Sequence, residues 1–385
     1  MTEDLEPTST LATGLAMFSM FFGAGNVVYP LALGQFAQDQ NIFGILGFLL
    51  TGVGVPFMGL IAMTFYEGNY RTFFGRLGRI PGFVVGMIIM GLIGPFGALP
   101  RCIALAYSTV DLFFPYFSLQ AFSLFSCIVI FLMTVKRNKI IDVLGYVLTP
   151  ILLVTLIIIV IKGILMSPPL PHSSEDPLHV FLRGLHEGYM TMDLLGAFFF
   201  SSVVLICLKR PGENHSPGVL MIEVLKAVAI GASLLALVYI GFSFVAAFNG
   251  QSLQGLSSDK LLATIAFNVL GPYAGLIACV AVTLACLTTA VALAAVSSEY
   301  INEDLTFGKV PYWQGLILTL LTSYFVSTLQ FSGILHFLTP ILLVFYPALI
   351  TLSFFNLLHK INRTEIVKLP VYAVFLLTLL LYGYS

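Results

Sequence analysis

Apolar residues in this chain come in long continuous runs separated by short polar turns, and they seldom alternate with polar ones. A run of about 18 or more mostly apolar residues is long enough to cross a bilayer as a helix. Eleven runs qualify: residues 9–37, 41–66, 80–112, 117–135, 141–165, 178–208, 217–248, 261–301, 311–329, 331–358 and 367–384. A membrane barrel is excluded, because its strands would alternate over about ten residues. The pattern therefore predicts an all-α integral membrane protein, built as one polytopic bundle. Composition strengthens this: 58% of residues are hydrophobic, 9% are charged and mean hydropathy is +1.00, whereas soluble domains carry about 25% charged residues. A net charge of −1 gives no reason to expect a nucleic-acid partner.

Basic residues orient the bundle, since short cytoplasmic loops hold most lysines and arginines. With the N-terminus inside, Arg71, Arg76, Arg79, Lys136, Arg137, Lys139, Lys209, Arg210, Lys309, Lys360, Arg363 and Lys368 fall in cytoplasmic loops, which is 12 of the 17 basic residues. Only Lys162 and Lys260 oppose the rule, and the C-terminus is expected outside. The start, MTEDLEPT, is acidic and lacks the positive region of a cleavable signal, so it is expected to stay as the lead into the first helix. The five cysteines form no CxxC pair and sit in or beside apolar runs, which argues against disulfides and zinc.

Two runs are too long and too interrupted for simple helices. The first has 29 residues, about 43 Å of helix against about 30 Å of hydrocarbon. Its middle reads FFGAGNVVYP, residues 21–30. Gly23 and Gly25 each weaken a helix by about 1 kcal/mol relative to Ala. Pro30 lacks the N–H that would bond the Asn26 carbonyl, so that oxygen is expected to line a cavity, ligand or ion. Glycines two apart point to opposite sides of a helix, unlike the four-residue spacing of packing motifs. The sixth run, of 31 residues, carries HEGYMTMDLLGAFFFSS. Gly188, Thr191 and Asp193 are expected to interrupt it. An aspartate at mid-membrane costs at least about 2.5–3.5 kcal/mol and is a functional candidate by default; Thr191 or Asp193 could also cap a restarted helix. Broken helices one and six are what an inverted repeat of five plus five helices predicts for a secondary transporter. The halves would be 1–166 and 178–358, with a peripheral helix in 359–385.

FFGAGNVVYP, GALPRCIALAY (97–107), EGYMTMD (187–193) and LACLTTA with SSEYI (284–301) together resemble the bacterial branched-chain amino-acid carriers, the branched-chain amino acid:cation symporters. That family belongs to the amino-acid transporters of LeuT-type fold, and the likeness runs from the first helix to the tenth. The resemblance implies symport of leucine, isoleucine and valine with Na⁺ or H⁺ across the bacterial cytoplasmic (inner) membrane, without enzymatic activity or cofactor. It implies that Phe21, Ala24 and Gly25 contact the amino acid and that Asn26 contacts an ion. By the same likeness Thr191 and Asp193 join the substrate site, while Ala285, Thr288 and Thr289, with the carbonyls of Ser19 and Phe22, form a second cation site. Two features depart from the family. Tyr29-Pro30-Leu31 stands where Phe-Pro-Pro is usual, and the eleventh helix is the last where twelve are usual.

Physical chemistry gives these residues roles. The half-helix expected to restart after Asn26 would aim its N–H groups and positive end at a carboxylate. Phe21, Phe22, Tyr189 and Phe199 are candidates for an aromatic wall around an aliphatic side chain. Oxygen ligands suit a hard cation such as Na⁺, and Asp193, if buried, could carry H⁺ instead. Arg101, inside the third run, is read as an ion-pair partner of Asp111 or Asp193, or else as a gating or substrate contact. The histidines, His179 and His186 included, lack a third ligand for a transition metal. The expected partners are an amino acid and the bilayer; monomer and homo-oligomer both stay open. Another neutral amino acid such as methionine is the alternative solute, and a membrane-embedded enzyme is a remote alternative. A channel is disfavoured, because no charged ring or filter repeat is present.

Overall fold

A computed structural model of the protein describes residues 10–135, 149–208, 217–363 and 365–384. Residues 1–9, the first eight residues of the expected fifth span, and Lys136, Arg137, Lys139, Lys209 and Arg210 lie outside the described residues. Among the described residues every regular element is helical. Helices fall on all eleven apolar runs. Five stretches are long and apolar enough to cross a membrane by length and composition alone: Ala24–Thr64, Arg79–Asp111, Gly218–Phe248, Gly275–Leu305 and Gln330–Asn362. A sixth is the bent pair Pro177–Met190 and Asp193–Leu205. Ala24–Thr64 turns through the 3₁₀ segment Gln38–Gln40, where the first apolar run ends and the second begins.

The spans sort into two packed groups. The first, second, sixth and seventh spans pack on one another, and the third packs against the eighth, with the fourth and ninth alongside. Small residues set the first group. A Cβ on Gly184 would stand 2.0 Å from the Gly44 carbonyl oxygen, and one on Gly188 would stand 2.0 Å from Thr51 Oγ1. Helix Pro177–Met190 therefore lies against the second span through glycines four apart, the spacing that lets membrane helices approach closely. Gly188 is a packing residue inside this helix and does not interrupt it as expected. A Cβ on Gly34 would likewise meet the Ser243 carbonyl oxygen at 1.9 Å, which seats helix Ala24–Ala37 on the seventh span.

Two differences from the sequence reading concern other spans. The third run divides into Arg79–Ile93 and Ala98–Asp111 at Gly94-Pro95-Phe96-Gly97. The eighth run, expected as one helix over 261–301, kinks at Gly271, whose φ of 78° lies in the left-handed region that glycine tolerates. The segment before the kink belongs to the connection from the seventh span, and the apolar span proper is Gly275–Leu305.

The loops meet at two opposite ends. At one end Asp304 accepts hydrogen bonds from Tyr70 and Arg71, and Lys360 lies 4.6 Å from the centre of the Tyr66 ring. At the other, Asp39 accepts from the Ser173 amide at 2.8 Å and bonds His172, while Ser108 donates to Asp259. The first end gathers the loops rich in arginine and lysine, and we call it the basic end.

Candidate functional site

The first run breaks at Phe22-Gly23. Helix Thr10–Phe21 stops there, and Ala24–Ala37 restarts behind Gly23, an extended residue at φ −116° and ψ −162°. The restart thus precedes Asn26, where the sequence suggested it would follow. Asn26 lies in the first turn, and its Oδ1 accepts from the Gly23 N–H at 3.1 Å. Pro30 sits within the restarted helix and makes no break. The sixth run breaks at Thr191-Met192 with a bend of 43° between its halves. Met192 is held at φ 69°, a conformation that side chains other than glycine and asparagine rarely adopt.

Both breaks border one central cavity of about 40 Å³. Phe21, Ala24, Gly25, Asn26, Arg101, Thr191, Asp193 and Thr289 all line it, with Met20, Cys102, Phe200 and Leu293 among its apolar walls. A water needs about 10–15 Å³ of such space, so the cavity is smaller than a leucine, and the lining elements must separate to admit one. Three of the four expected aromatic residues lie elsewhere. Tyr189 packs against Tyr346 with ring centres 5.1 Å apart. Phe22 stacks on Phe18 at 5.2 Å, and Phe199 lies against Tyr70 at 4.9 Å, toward the basic end. Phe22 lies just past the end of helix Thr10–Phe21 and turns to Phe18 and Phe242 instead of the cavity.

A buried polar cluster holds the two breaks together. Asn26 Nδ2 donates to Asp193 Oδ2 at 2.6 Å and also to the Tyr239 hydroxyl, which in turn donates to the same carboxylate oxygen at 3.2 Å. All three residues are at most 5% exposed. Tyr239, from the middle of the seventh span, escaped the sequence reading because a tyrosine in an apolar run looks like core. The restarted sixth helix is capped by Thr191 Oγ1, which accepts from the Asp193 N–H at 3.4 Å, and by the Tyr346 hydroxyl, which accepts from the Leu194 N–H at 3.1 Å.

Arg101 pairs with neither Asp111 nor Asp193 in the way its sequence context suggested. Its Nη1 donates to the Met190 carbonyl at 2.9 Å and to the Tyr29 hydroxyl at 3.2 Å, and its Nη2 donates to the Thr191 carbonyl at 3.1 Å. Helix C-termini carry partial negative charge and unbonded carbonyls, so the guanidinium closes the end of Pro177–Met190. Its Nε is buried without a protein partner. The GPFG interruption directly before it is the signal that could have located it.

The other candidate residues converge on a second, smaller space. Ser19, Ala285 and Thr288 line a cavity of about 10 Å³ with Ile151, Leu152, Ala281 and Leu284, room for one water-sized body. Thr288 Oγ1 donates to the Ala285 carbonyl at 2.7 Å, a bond within its helix. Thr289 Oγ1 reaches across to the Phe22 carbonyl at 3.3 Å, tying the eighth span to the first break. Ser19, Ala285 and Thr288 thus border this smaller space, whereas Thr289 borders the central cavity and Phe22 borders neither.

A helical membrane bundle whose first and sixth spans are both broken beside one central cavity has the LeuT-type fold. Solved structures agree on the fold. MhsT in complex with L-phenylalanine aligns with a TM-score of 0.63 at 16% identity, covering 97% of this chain and 100% of that one. The inward-facing conformation of Mhp1 aligns at 0.64 and 13% identity, covering 91% and 77%. The family described as "Branched-chain amino acid transport protein" matches residues 6–383, and the chain belongs to it. Relatives include a branched-chain amino acid permease of Bacillus subtilis, 30% identical over 98% of this chain and 88% of that protein. A permease of the same description from Corynebacterium glutamicum is 36% identical over 92% and 82%. These relatives are named permeases, and the protein is a multi-pass membrane transporter of this family and not an enzyme.

Proposed function

We propose that the protein imports leucine, isoleucine and valine by symport with Na⁺, binding both between the breaks of the first and sixth spans. The observation that carries this is the distribution of charge around the central cavity. Arg101 with its unpartnered Nε, and the amide end of Ala24–Ala37, offer donors to a carboxylate. Asp193 and the end of Thr10–Phe21 offer negative charge to an ammonium group. A zwitterion matches both. The family membership supports a branched-chain side chain, and one methylene changes binding in an apolar pocket by only about 1–3 kcal/mol, so the three substrates would be weakly distinguished.

In this reading Na⁺ takes the oxygens of Ser19, Phe22, Ala285, Thr288 and Thr289, with Asn26 linking the ion to the substrate site. The halves 1–166 and 178–358 are inverted repeats that each give spans to both packed groups, and the groups rock around the site, with 359–385 peripheral. The N-terminus and the basic end face the cytoplasm of a bacterial cell, and the C-terminus faces outside. Closure at both ends, by Asp304 with Tyr70 and Arg71 and by Asp39 with Ser173, would alternate as the cavity opens to either side. One observation favours a second reading, H⁺ coupling: Asp193 is buried among neutral hydrogen-bonding partners, Asn26 and Tyr239.

The test is uptake of labelled leucine into proteoliposomes under separately imposed Na⁺ and H⁺ gradients, for wild type, Asp193→Asn and Thr289→Ala. Na⁺-driven uptake whose coupling is lost only in Thr289→Ala supports Na⁺. H⁺-driven uptake lost in Asp193→Asn supports the second reading. No gradient-driven uptake of any branched-chain amino acid by folded protein would sink both; competition by methionine and other neutral amino acids then identifies the solute.

A further inference from the structure

A groove of about 740 Å³ opens at the basic end, between the short helix Tyr70–Gly75, the start of the third span and the end of the eighth. Its volume lies in the range of about 300–1,000 Å³ that ligand sites occupy, and it shares no lining residue with the central cavity. One face of the third span forms a wall. Arg79, Gly82, Phe83 and Gly86 recur there at helical spacing, over about 10 Å from the loop inward. Gly82 lets the short helix close in, since a Cβ on it would stand 2.4 Å from the Phe74 carbonyl oxygen, and a Cβ on Gly86 would still be 3.6 Å from the Tyr300 hydroxyl.

The groove is charged at its mouth and apolar further in. Arg71 bonds Asp304 through Nε and its side chain is 61% exposed, which leaves the other guanidinium donors for a further partner. Arg79 is exposed and has no ion-pair partner among the described residues. Two arginines against the one aspartate leave the lining with one net positive charge. Beyond them Ile80 and Phe83 are 77% and 44% exposed on the side of the third span that meets the bilayer, and Phe307 is 77% exposed across from them. A cationic mouth at the membrane boundary that continues into an apolar, outward-facing channel has the polarity profile of a phospholipid.

We propose that this groove binds one anionic phospholipid from the leaflet on the basic side, its phosphate between Arg71 and Arg79 and the start of an acyl chain against Phe83 and over Gly86. Charge selects the headgroup. Basic residues at a membrane surface attract anionic lipids, and the arginine fork matches two phosphate oxygens at once. A lipid with one net negative charge cancels the surplus charge of the lining, whereas the ammonium of a zwitterionic headgroup would meet the same two arginines. The bound lipid bridges the short helix, through Arg71, to the third span, through Arg79, and so stabilises the basic end.

The experiment measures binding to the purified full-length protein in detergent by native mass spectrometry, with thermal unfolding alongside. The probes are palmitoyl-oleoyl phosphatidylglycerol, phosphatidylcholine with the same chains, dihexanoyl phosphatidylglycerol and inorganic phosphate. One long-chain phosphatidylglycerol is expected to bind at least about tenfold more tightly than the other three and to raise the melting temperature; tenfold is the scale of one hydrogen bond to a charged group. Arg79→Gln is expected to weaken that binding about tenfold, while Arg363→Gln, an exposed basic residue that does not line the groove, leaves it unchanged. Phe83→Glu puts a negative charge on the chain wall, is expected to give the same loss, and keeps the test open if Arg79→Gln does not fold. Wild-type binding in folded Arg79→Gln or Phe83→Glu overturns the proposal. Equal binding of phosphatidylcholine, or an equal loss in Arg363→Gln, overturns it as well, because the attraction then belongs to the whole surface. Equal binding of the dihexanoyl lipid or of inorganic phosphate overturns the lipid assignment and leaves a site for free phosphate groups.

Discussion

The two broken spans look alike in sequence, yet they spend their freed backbone groups differently. At the sixth break the groups are nearly all satisfied by protein. Arg101 takes the Met190 and Thr191 carbonyls, and Thr191 and Tyr346 take the amides of the restarted helix. At the first break Asn26 caps Gly23 and Thr289 bonds Phe22, while Ala24 and Gly25, in the first turn of the restarted helix, line the central cavity. The first break is therefore a backbone site that a ligand can compete for. The sixth is a rigid, internally bonded corner that contributes a side chain, Asp193. Breaking a helix makes polar backbone groups available, but the surrounding tertiary contacts decide which of them a ligand can use.

Arg101→Met tests the rigid corner most severely. It strips two buried carbonyls of charged donors, each worth about 1.5–3 kcal/mol, and the expected outcome is a destabilisation of about 3–5 kcal/mol seen as a large drop in melting temperature and loss of uptake. Asp193→Asn preserves shape and removes charge. Uptake at saturating cation is expected to fall at least about 100-fold, equivalent to about 2.7 kcal/mol, with thermal stability little changed. Gly25→Ala probes where the breaks touch, since its Cβ would stand 2.5 Å from Arg101 Nη2 and 3.0 Å from the Thr191 backbone. Such overpacking costs about 1–3 kcal/mol, and leucine affinity should weaken by about tenfold or more in a binding assay.

Thr289→Val removes one hydrogen bond to the first break, worth about 1 kcal/mol. It should raise the cation concentration for half-maximal uptake while the leucine KM at saturating cation stays near wild type. The smallest effect concerns the loop that closes the far end. The Ser173 amide, with His172 beside it, holds the Asp39 carboxyl below its usual range. A carboxylate lowered in the folded state stabilises above its unfolded pKa, and that contribution is lost as pH falls through the lowered value. The protection of the Ser173 amide, taken relative to its intrinsic exchange rate at each pH, should therefore fall only in acid, and Asp39→Asn should abolish that fall.

Much of this was legible in the residues. Run lengths and interruptions placed both broken spans, and Asn26, Thr191 and Asp193 were marked by their polarity in apolar surroundings. Arg101 was equally conspicuous, but its partners are backbone carbonyls, which look the same at every position in a sequence. Tyr239 was not marked at all, since it passes for an ordinary member of an apolar run until other helices bring Asn26 and Asp193 to it. Gly188 was misplaced for a related reason: a glycine weakens a helix locally, yet Phe48, Thr51 and Gly52 across the contact turn it into close packing.

By itself the sequence determined that the chain crosses a membrane as helices, where those helices lie, and which two must break. The hydrocarbon enforces these things locally, through run length and the cost of every exposed polar group. Only the tertiary structure decided the residue at which each break falls, which freed groups the protein keeps for itself, and which face of each helix meets the cavity. Those depend on contacts between residues far apart in the chain, such as Asn26 with Asp193 and Arg101 with Met190, whose geometry is fixed when the spans pack.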